Sequence, residues 1–196
     1  KAAGIKPIIG CEVYVARRGM EDRVYGIDNE SYHLVLLCEN RKGYENLCLL
    51  VSEAFINGFY GKPRVDIAML EKYHEGLIAL SACLAGAIPQ YLMEERYEEA
   101  KAYALELADI FGPHDFYLEL QDHNLSEQVE VNQGVLRIAR ETGLPLVVTN
   151  DAHYLRREDA HMQDVLLCIQ TGKTVDEPNR MKFQTEEFYL KSEEEL

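Results

Sequence analysis

The stretch VVTNDAHYL, from Val147 to Leu155, shows how this chain is built. Its run of apolar, β-branched residues predicts a buried strand, which gives way abruptly to Asp151 and His153. Because side chains alternate along a strand, these two residues are expected to point to the same side. A carboxylate and an imidazole placed in this way can be a pair of metal ligands, an acid–base couple or simply a polar exit into a loop.

The same combination of an apolar strand and a nearby helix recurs along the chain. The strand-like runs are IKPIIGCEVYV, YHLVLLCEN, GLIALSACLAG, DFYLELQDHN and LPLVVTNDAHYL. Helical patterns lie between or after them, and this alternation predicts an α/β fold with a parallel sheet or barrel. The 196 residues are enough for one domain with its own core. No run of about 18 apolar residues occurs, so the sequence predicts no membrane span.

Residue types that bind metals collect at the predicted carboxyl ends of four of these strands. The carboxyl ends of parallel strands meet at one rim, where the active sites of α/β folds are built. Imidazole, carboxylate and thiolate groups are the usual protein ligands of transition metals. The sequence therefore predicts a metal site at this rim, formed by Glu12, Cys83, His123, Asp151 and His153.

Each of these residues also has a structural interpretation. Glu12 can lie on the exposed face of an edge strand, although an unpaired carboxylate inside an apolar strand is costly. Cys83 can be a core cysteine, and His123 can be an exposed loop residue. Asp151 can form a turn with Asn150. The convergence of several such residues at one rim favours the metal site over these separate explanations.

The other histidines and the acid next to His123 are predicted to lie outside this site. His33 stands at the start of its strand, so in a parallel sheet it would lie at the opposite rim with a structural role. His74 and His114 precede strands and are expected at the surface, and His161 on a helix face. Asp122 is predicted to be a surface charge.

Charge and cysteine content restrict the partners and the compartment. The formal charge is −14 and no basic patch stands out, so the main contacts to nucleic-acid phosphates are expected outside this chain. Acidic stretches such as EERYEEAK are typical of solvated helix faces. The five cysteines form no C-x-x-C pair, and four lie in apolar strand or helix contexts. This pattern predicts a reducing compartment, hence the cytoplasm.

Six stretches of the sequence form a recognisable series, namely AGIKPIIGCEVYV, HLVLLCENRKGYENL, ALSACLAG, FYLELQDHN, LPLVVTNDAHYL and DVLLCIQTGKTVDEPNRMKFQTEEFYLKSEEEL. In order and spacing they resemble the motifs of PHP (polymerase and histidinol phosphatase) domains in the family of bacterial replicative DNA polymerase III alpha subunits. The resemblance covers essentially the whole chain. It implies a partial, distorted (β/α)7 barrel, with the PHP domain at residues 1–172 and the start of a segment leading to the polymerase body at residues 173–196.

The resemblance also implies a metal centre. PHP domains of this kind carry a cluster of divalent metal ions, commonly zinc, manganese or iron, and the later ligands of the family match Glu12, Cys83, His123, Asp151 and His153. The first two strand motifs of the family, which supply further ligands, are absent from this chain. The barrel is then expected to have an open edge, through which the chain can associate with a second copy.

Besides the activity of the parent protein, the resemblance leaves three alternative functions for the domain itself. The parent protein would synthesise DNA on a template, at a polymerase active site outside this chain. The PHP domain itself would be a metal-dependent phosphoesterase, in some relatives a 3′–5′ exonuclease, with Asp151 and His153 as catalytic residues. Alternatively, it would be a structural module that docks other polymerase III subunits, such as the proofreading subunit. A free-standing PHP phosphatase is disfavoured by the polymerase-like sequence that follows Cys168.

Overall fold

A computed structural model describes residues 2–196 of the chain. Within these residues lie six strands, six α-helices and a short 3-10 helix at Arg157–Asp159. None of the helices in this range is both long enough and apolar enough to pass through a membrane. In chain order the elements are β1 (Gly10–Ala16), β2 (Ser31–Cys38), α1 (Arg41–Ile56), β3 (Arg64–Val65), α2 (Ile67–Tyr73), β4 (Leu77–Leu80), α3 (Ala87–Met93), α4 (Tyr97–Phe111), β5 (Phe116–Leu120), α5 (Ser126–Thr142), β6 (Leu146–Val148) and α6 (Ala160–Thr171).

The strands of the described residues form one open, mixed sheet with the order β3-β1-β2-β4-β5-β6. This confirms the predicted α/β class, and the open sheet is consistent with a partial barrel. The expectation that all strands run parallel is wrong for β2, which is antiparallel to both β1 and β4. Residues 17–30, which connect β1 to β2, contain no helix in the structure. Strands joined without such a crossover run antiparallel, and this explains the direction of β2.

The connection between β1 and β2 is held in place by the buried guanidinium of Arg64. Its Nη1 donates to the carbonyl oxygen of Asp28 at 2.7 Å. Its Nη2 donates to the carbonyl oxygens of Met20 and Asp22 at 2.8 and 2.9 Å. Nε donates to the carbonyl oxygen of Gly58 at 3.2 Å. One planar cation therefore organises the loop from which β2 starts.

The core lies between the sheet and the helices that pack on it. In α1 the buried side chains include Leu47, Leu50 and Ala54, which form one stripe at helical spacing. Helix α1 contacts β1 to β4, while α4 and α5 contact β5. Phe116 and Leu118 of β5 are fully buried in the same core. Packing of this kind fixes the strand positions, and with them the loops at the rim.

Strand β6 forms an open, partly apolar edge of the sheet. Within residues 2–196 it pairs only with β5. The side chains of Leu146 and Val148 are exposed there, as are Ile8 and Ile9 ahead of β1. An unpaired edge of this type is a surface on which another strand can add. Association of two copies through it remains a prediction.

Candidate metal centre

Three side chains from separate strands meet at the rim, and together they are called the donor cluster: Glu12 of β1, His33 of β2 and Cys83, which follows β4. Nδ1 of His33 lies 3.0 Å from Oε1 of Glu12 and 3.7 Å from Sγ of Cys83. One potential ligand atom from each residue lies within 4.8 Å of the others. A carboxylate, an imidazole and a thiol at such separations are suited to binding a transition metal such as zinc.

Strand pairing brings the members of the donor cluster together. Glu12 is paired with Val35, and His33 lies two residues before Val35 on the same strand. Residues two apart share a face, so Glu12 and His33 are diagonal neighbours across the β1–β2 pair. The backbone N–H of His33 donates to the carbonyl oxygen of Ala85 at 3.0 Å, which ties the turn containing Cys83 to the start of β2.

The turn that presents the Cys83 thiol is tightly constrained. The N–H of Gly86 donates to the carbonyl oxygen of Cys83 at 2.8 Å. A Cβ atom on residue 86 would lie 2.2 Å from the carbonyl oxygen of Ser81, so only glycine fits there. Ala82 has a φ of 65°, in the left-handed region. The backbone therefore directs the thiol towards the rim.

The expectation that His33 lies at the opposite rim is wrong. Strand β2 runs against its neighbours, so its first residues lie where β1 and β4 end. The sequence does carry a signal for this, because the polar, glycine-containing residues 17–30 lack a helical pattern. A connection without a helix favours an antiparallel return of the chain.

The imidazole of His33 is strongly influenced by its two neighbours in the donor cluster. The hydrogen bonds to Cys83 and to Glu12 raise the pKa of His33 to about 9, against the opposing effect of burial. A metal ion can bind the ring nitrogen only after the proton has left. Proton release is therefore expected to accompany metal binding at this rim.

The raised pKa of His33 predicts that the metal-free chain loses stability as the pH rises. A group that binds its proton more tightly in the folded state stabilises the fold fully below its unfolded-state pKa, here 6.5. That contribution disappears as the pH passes through about 9. Urea denaturation in the presence of a chelator, at several pH values across this range, measures the effect. The decline should be smaller in His33→Gln, and an equal decline in both proteins would contradict this assignment.

Asp151 and His153 face each other, but not through the strand alternation that the sequence suggests. Nε2 of His153 lies 3.4 Å from Oδ1 of Asp151. Strand β6 ends at Val148, and Asp151 has a φ of 42°, so the pair belongs to the loop that follows the strand. The contact therefore depends on the loop conformation and not on strand alternation.

The charges of this pair and of the donor cluster act on each other. Burial acts to raise the pKa of Asp151, but the hydrogen bond from His153 and the charges of His153, His123 and His33 together lower it. The hydrogen bond to Asp151 raises the pKa of His153 despite burial, and the charge of Glu12 adds to this effect. The charges of the pair and of the donor cluster are therefore coupled.

His123 is placed differently from the sequence prediction, because it is buried and both of its ring nitrogens are engaged. Nε2 of Gln128 donates to Nδ1 at 2.8 Å, and Nε2 of the ring lies 2.8 Å from the carbonyl oxygen of Asn150. This pattern assigns the proton to Nε2. The ring also stacks on Phe188 with centroids 4.0 Å apart. The structure does not bring His123 to the donor cluster, and its visible role is to hold the residue before Asp151.

Residues 183–191, called the rim segment, pack over the Asp151–His153 loop. The backbone N–H of His153 donates to the carbonyl oxygen of Phe188 at 2.8 Å. The N–H of Lys191 donates to Oδ1 of Asn150 at 3.0 Å. Part of the chain after α6 therefore packs directly on the α/β core. The boundary between a PHP domain and a following segment stays a prediction.

Glu119, a buried carboxylate of β5, is a member of this region that sequence reasoning missed. Burial raises its pKa, and the charge of Asp151 adds to the rise, while hydrogen bonds oppose it. The signal that could have identified it is an acid inside the apolar run FYLEL. The same argument was sufficient for Glu12, because an unpaired carboxylate within an apolar strand is costly.

The family model that matches this chain and the relatives that are similar to it point to the same family. A protein-family model described as the PHP domain matches residues 1–123. The chain is 48% identical over 196 residues to DNA polymerase III subunit alpha of Treponema pallidum. It is 47% identical over 197 residues to the proteins of the same name from Borreliella burgdorferi and Thermus aquaticus. The alignments cover all of this chain, which spans 17%, 17% and 16% of these relatives.

Proposed function

The chain belongs to the PHP domain family, and from this premise we propose that it is the PHP domain of a replicative polymerase, the alpha subunit of DNA polymerase III. The similarity to three such subunits over the whole chain supports the proposal. The parent protein would then extend a DNA strand on a template by nucleotidyl transfer. Its polymerase active site would lie outside this chain.

We propose that the rim binds a divalent metal ion, with zinc, manganese and iron as candidates. The observation that carries this proposal is the donor cluster, whose three potential ligand atoms lie within 4.8 Å of one another. Mixed thiolate, imidazole and carboxylate ligands suit zinc and iron best. Asp151 would add a second carboxylate. When bound, the metal supplies a water molecule of lowered pKa and neutralises phosphate charge.

The reaction proposed for this centre is hydrolysis of a phosphodiester, as in a 3′–5′ exonuclease. The attacking water would first give up a proton to solvent; a bond then forms between phosphorus and its oxygen, the bond to the leaving oxygen breaks, and the leaving oxygen takes up a proton. We assign this proton to His153, whose Nε2 lies 3.4 Å from Oδ1 of Asp151 and whose pKa is raised by the hydrogen bond to that carboxylate. Asp151 holds the ring in place and offers its carboxylate to the metal.

A nuclease assay on the full-length protein that contains this chain tests the proposed function. With Mn²⁺ or Zn²⁺ added, Asp151→Asn should cleave labelled single-stranded DNA at least about tenfold more slowly than the wild type. It should also retain less metal after dialysis. Asp122→Asn is the matched control, because Asp122 is exposed and its Oδ1 caps a turn by accepting from the N–H of Asn124. Unchanged metal content and unchanged cleavage in Asp151→Asn would rule out the catalytic role.

A structural and docking role is the second candidate, and the open edge at β6 favours it. Exposed Leu146 and Val148 offer an apolar surface beside unpaired backbone groups. Other polymerase III subunits, such as the proofreading subunit, or a second copy of the chain would bind there. A free-standing PHP phosphatase is less favoured, because the similarity to polymerase subunits extends over the entire chain.

The partners and compartment follow from charge and thiol chemistry. With a formal charge of −14, the chain is expected to leave most DNA contacts to other parts of the parent polymerase. The cysteines of the described residues are all free. We therefore propose that the protein acts in the cytoplasm, where thiols stay reduced.

A further inference from the structure

The buried side chain of Glu119 connects two loops that are far apart in the sequence. Its Oε2 accepts a hydrogen bond from the N–H of Ala82 at 2.9 Å. Its Oε1 accepts from the hydroxyl of Thr149 and from Nε2 of Gln121, the latter at 3.0 Å. The backbone N–H of Glu119 in turn donates to Oγ of Ser81 at 2.8 Å. One residue of β5 therefore holds the loop after β4 and the loop after β6.

These two loops carry the functional groups of the rim. Ala82 directly precedes Cys83, and Thr149 lies two residues before Asp151. Ala82 and Asp151 both have positive φ values, of 65° and 42°. Non-glycine residues adopt such conformations only when the surrounding contacts enforce them. The hydrogen bonds of Glu119 are contacts of this kind, on both sides of the rim.

The cost of burying this carboxylate indicates that Glu119 serves to hold its hydrogen-bonding partners in place. Taking a carboxylate out of water is costly, and an apolar side chain of similar volume often stabilises a core equally well. Three donors compensate Glu119, and all of them lie on the strand ends next to the rim. Glu119 is not one of the three groups whose ligand atoms lie within 4.8 Å of one another, and its visible role is to hold the two loops.

We infer that Glu119 is a positioning residue. It holds the Cys83 turn and the Asp151–His153 loop at the distance from each other at which their side chains can bind a divalent metal ion. The inference rests on the proposed metal-binding function. Hydrogen-bonding partners that orient metal ligands typically contribute ten- to hundredfold in affinity. Glu119 acts on two ligand-bearing loops at once, so an effect in this range is expected for the bound metal.

Binding of Co²⁺ to the full-length protein tests the inference, because the absorption of a cobalt–thiolate bond reports directly on Cys83. Glu119→Gln keeps the size of the side chain but cannot accept all three hydrogen bonds. It should weaken Co²⁺ binding by about ten- to hundredfold, with the thiolate absorption restored at saturating metal. Thr149→Val should show a similar loss and Thr149→Ser should recover it. Val135→Ala removes buried atoms from the middle of α5, changes no hydrogen bond of Glu119, and is the control for general destabilisation.

Amide hydrogen exchange without metal provides a second readout that does not need a functional site. Release of the loops should speed exchange at Ala82 or at residues 149–153 in Glu119→Gln and in Thr149→Val, but not selectively in Val135→Ala. Unchanged exchange and unchanged Co²⁺ affinity in both variants would overturn the inference, as would an equal loss in Val135→Ala. A wild type that binds no Co²⁺ would instead overturn the proposed function, and the exchange data would still decide the role of Glu119.

Discussion

Replacing His33 with alanine should lower the affinity of the full-length protein for Zn²⁺ by about 100-fold or more. Its Nδ1 lies 3.0 Å from Oε1 of Glu12 and 3.7 Å from Sγ of Cys83, so the substitution removes the atom that both other donors contact. Loss of a partner that only orients a ligand already costs roughly ten- to hundredfold. Loss of a ligand itself is expected to exceed that range, because the ion must take water or leave the site incomplete.

Competition with a chromophoric chelator at constant pH measures this affinity. His74→Ala is the matched control, since His74 is a half-buried imidazole at the end of α2 whose Nδ1 lies near the carbonyl oxygen of Glu71. That variant should bind Zn²⁺ as the wild type does. If His33→Ala also bound Zn²⁺ normally, His33 would be a structural residue, as its position at the start of a strand suggests. The metal would then have to be held by other groups at the rim.

Replacing Arg64 with leucine should lower the free energy of unfolding by about 3 to 5 kcal/mol. The guanidinium is buried, with 1% of the residue exposed. Leucine has no side-chain donors, so the substitution leaves three carbonyl oxygens without the guanidinium, those of Met20, Asp22 and Asp28, while that of Gly58 keeps the hydrogen bond from the backbone N–H of residue 64. Each buried acceptor that loses its hydrogen bond costs about 1 to 3 kcal/mol, and partial access of water to the loop reduces the sum.

Urea denaturation followed by circular dichroism measures the loss of stability in Arg64→Leu. Arg41→Leu is the control, because Arg41 is highly exposed on α1 and pairs only with Glu45 one turn away. Its effect should stay below about 0.5 kcal/mol. Arg64→Lys should fall between the two, since an ammonium group cannot reach all of the carbonyl oxygens. A change in Arg64→Leu as small as that of the control would show that the β1–β2 connection does not depend on this cation.

The α/β class could be predicted from the sequence because hydrophobic periodicity is a local property. Apolar runs and helical stripes are visible within a window of about ten to twenty residues, and they locate the strands and helices. Strand direction is different, since it depends on which neighbours pair and on the path between them. Strand β2 runs antiparallel because residues 17–30 return without a helix, and their path is held by Arg64, which lies much later in the chain.

The candidate site likewise contains residues that local sequence patterns can identify and residues that they cannot. Glu12, Cys83, Asp151 and His153 could be found because each follows or interrupts a local apolar run; the structure brings Glu12 close to Cys83, and Asp151 close to His153. His33 could not be found by the same rule, because its place at the rim follows from the reversed direction of β2.

For His123 the difference is the reverse: the sequence pattern predicts a metal ligand, and the structure does not bring the ring to the donor cluster. The cause again includes contacts with residues distant along the chain. A histidine after an apolar strand has the same local pattern whether its ring nitrogens are free or bonded. Gln128 and Asn150 engage both nitrogens, and Phe188 of the rim segment covers the ring. The amino-acid sequence thus determines the element types and most of the chemistry at the strand ends, because those depend on neighbouring residues. Tertiary structure alone decides which imidazole is available to a metal and which carboxylate holds the loops, because hydrogen bonds and strand pairing join residues that are distant along the chain.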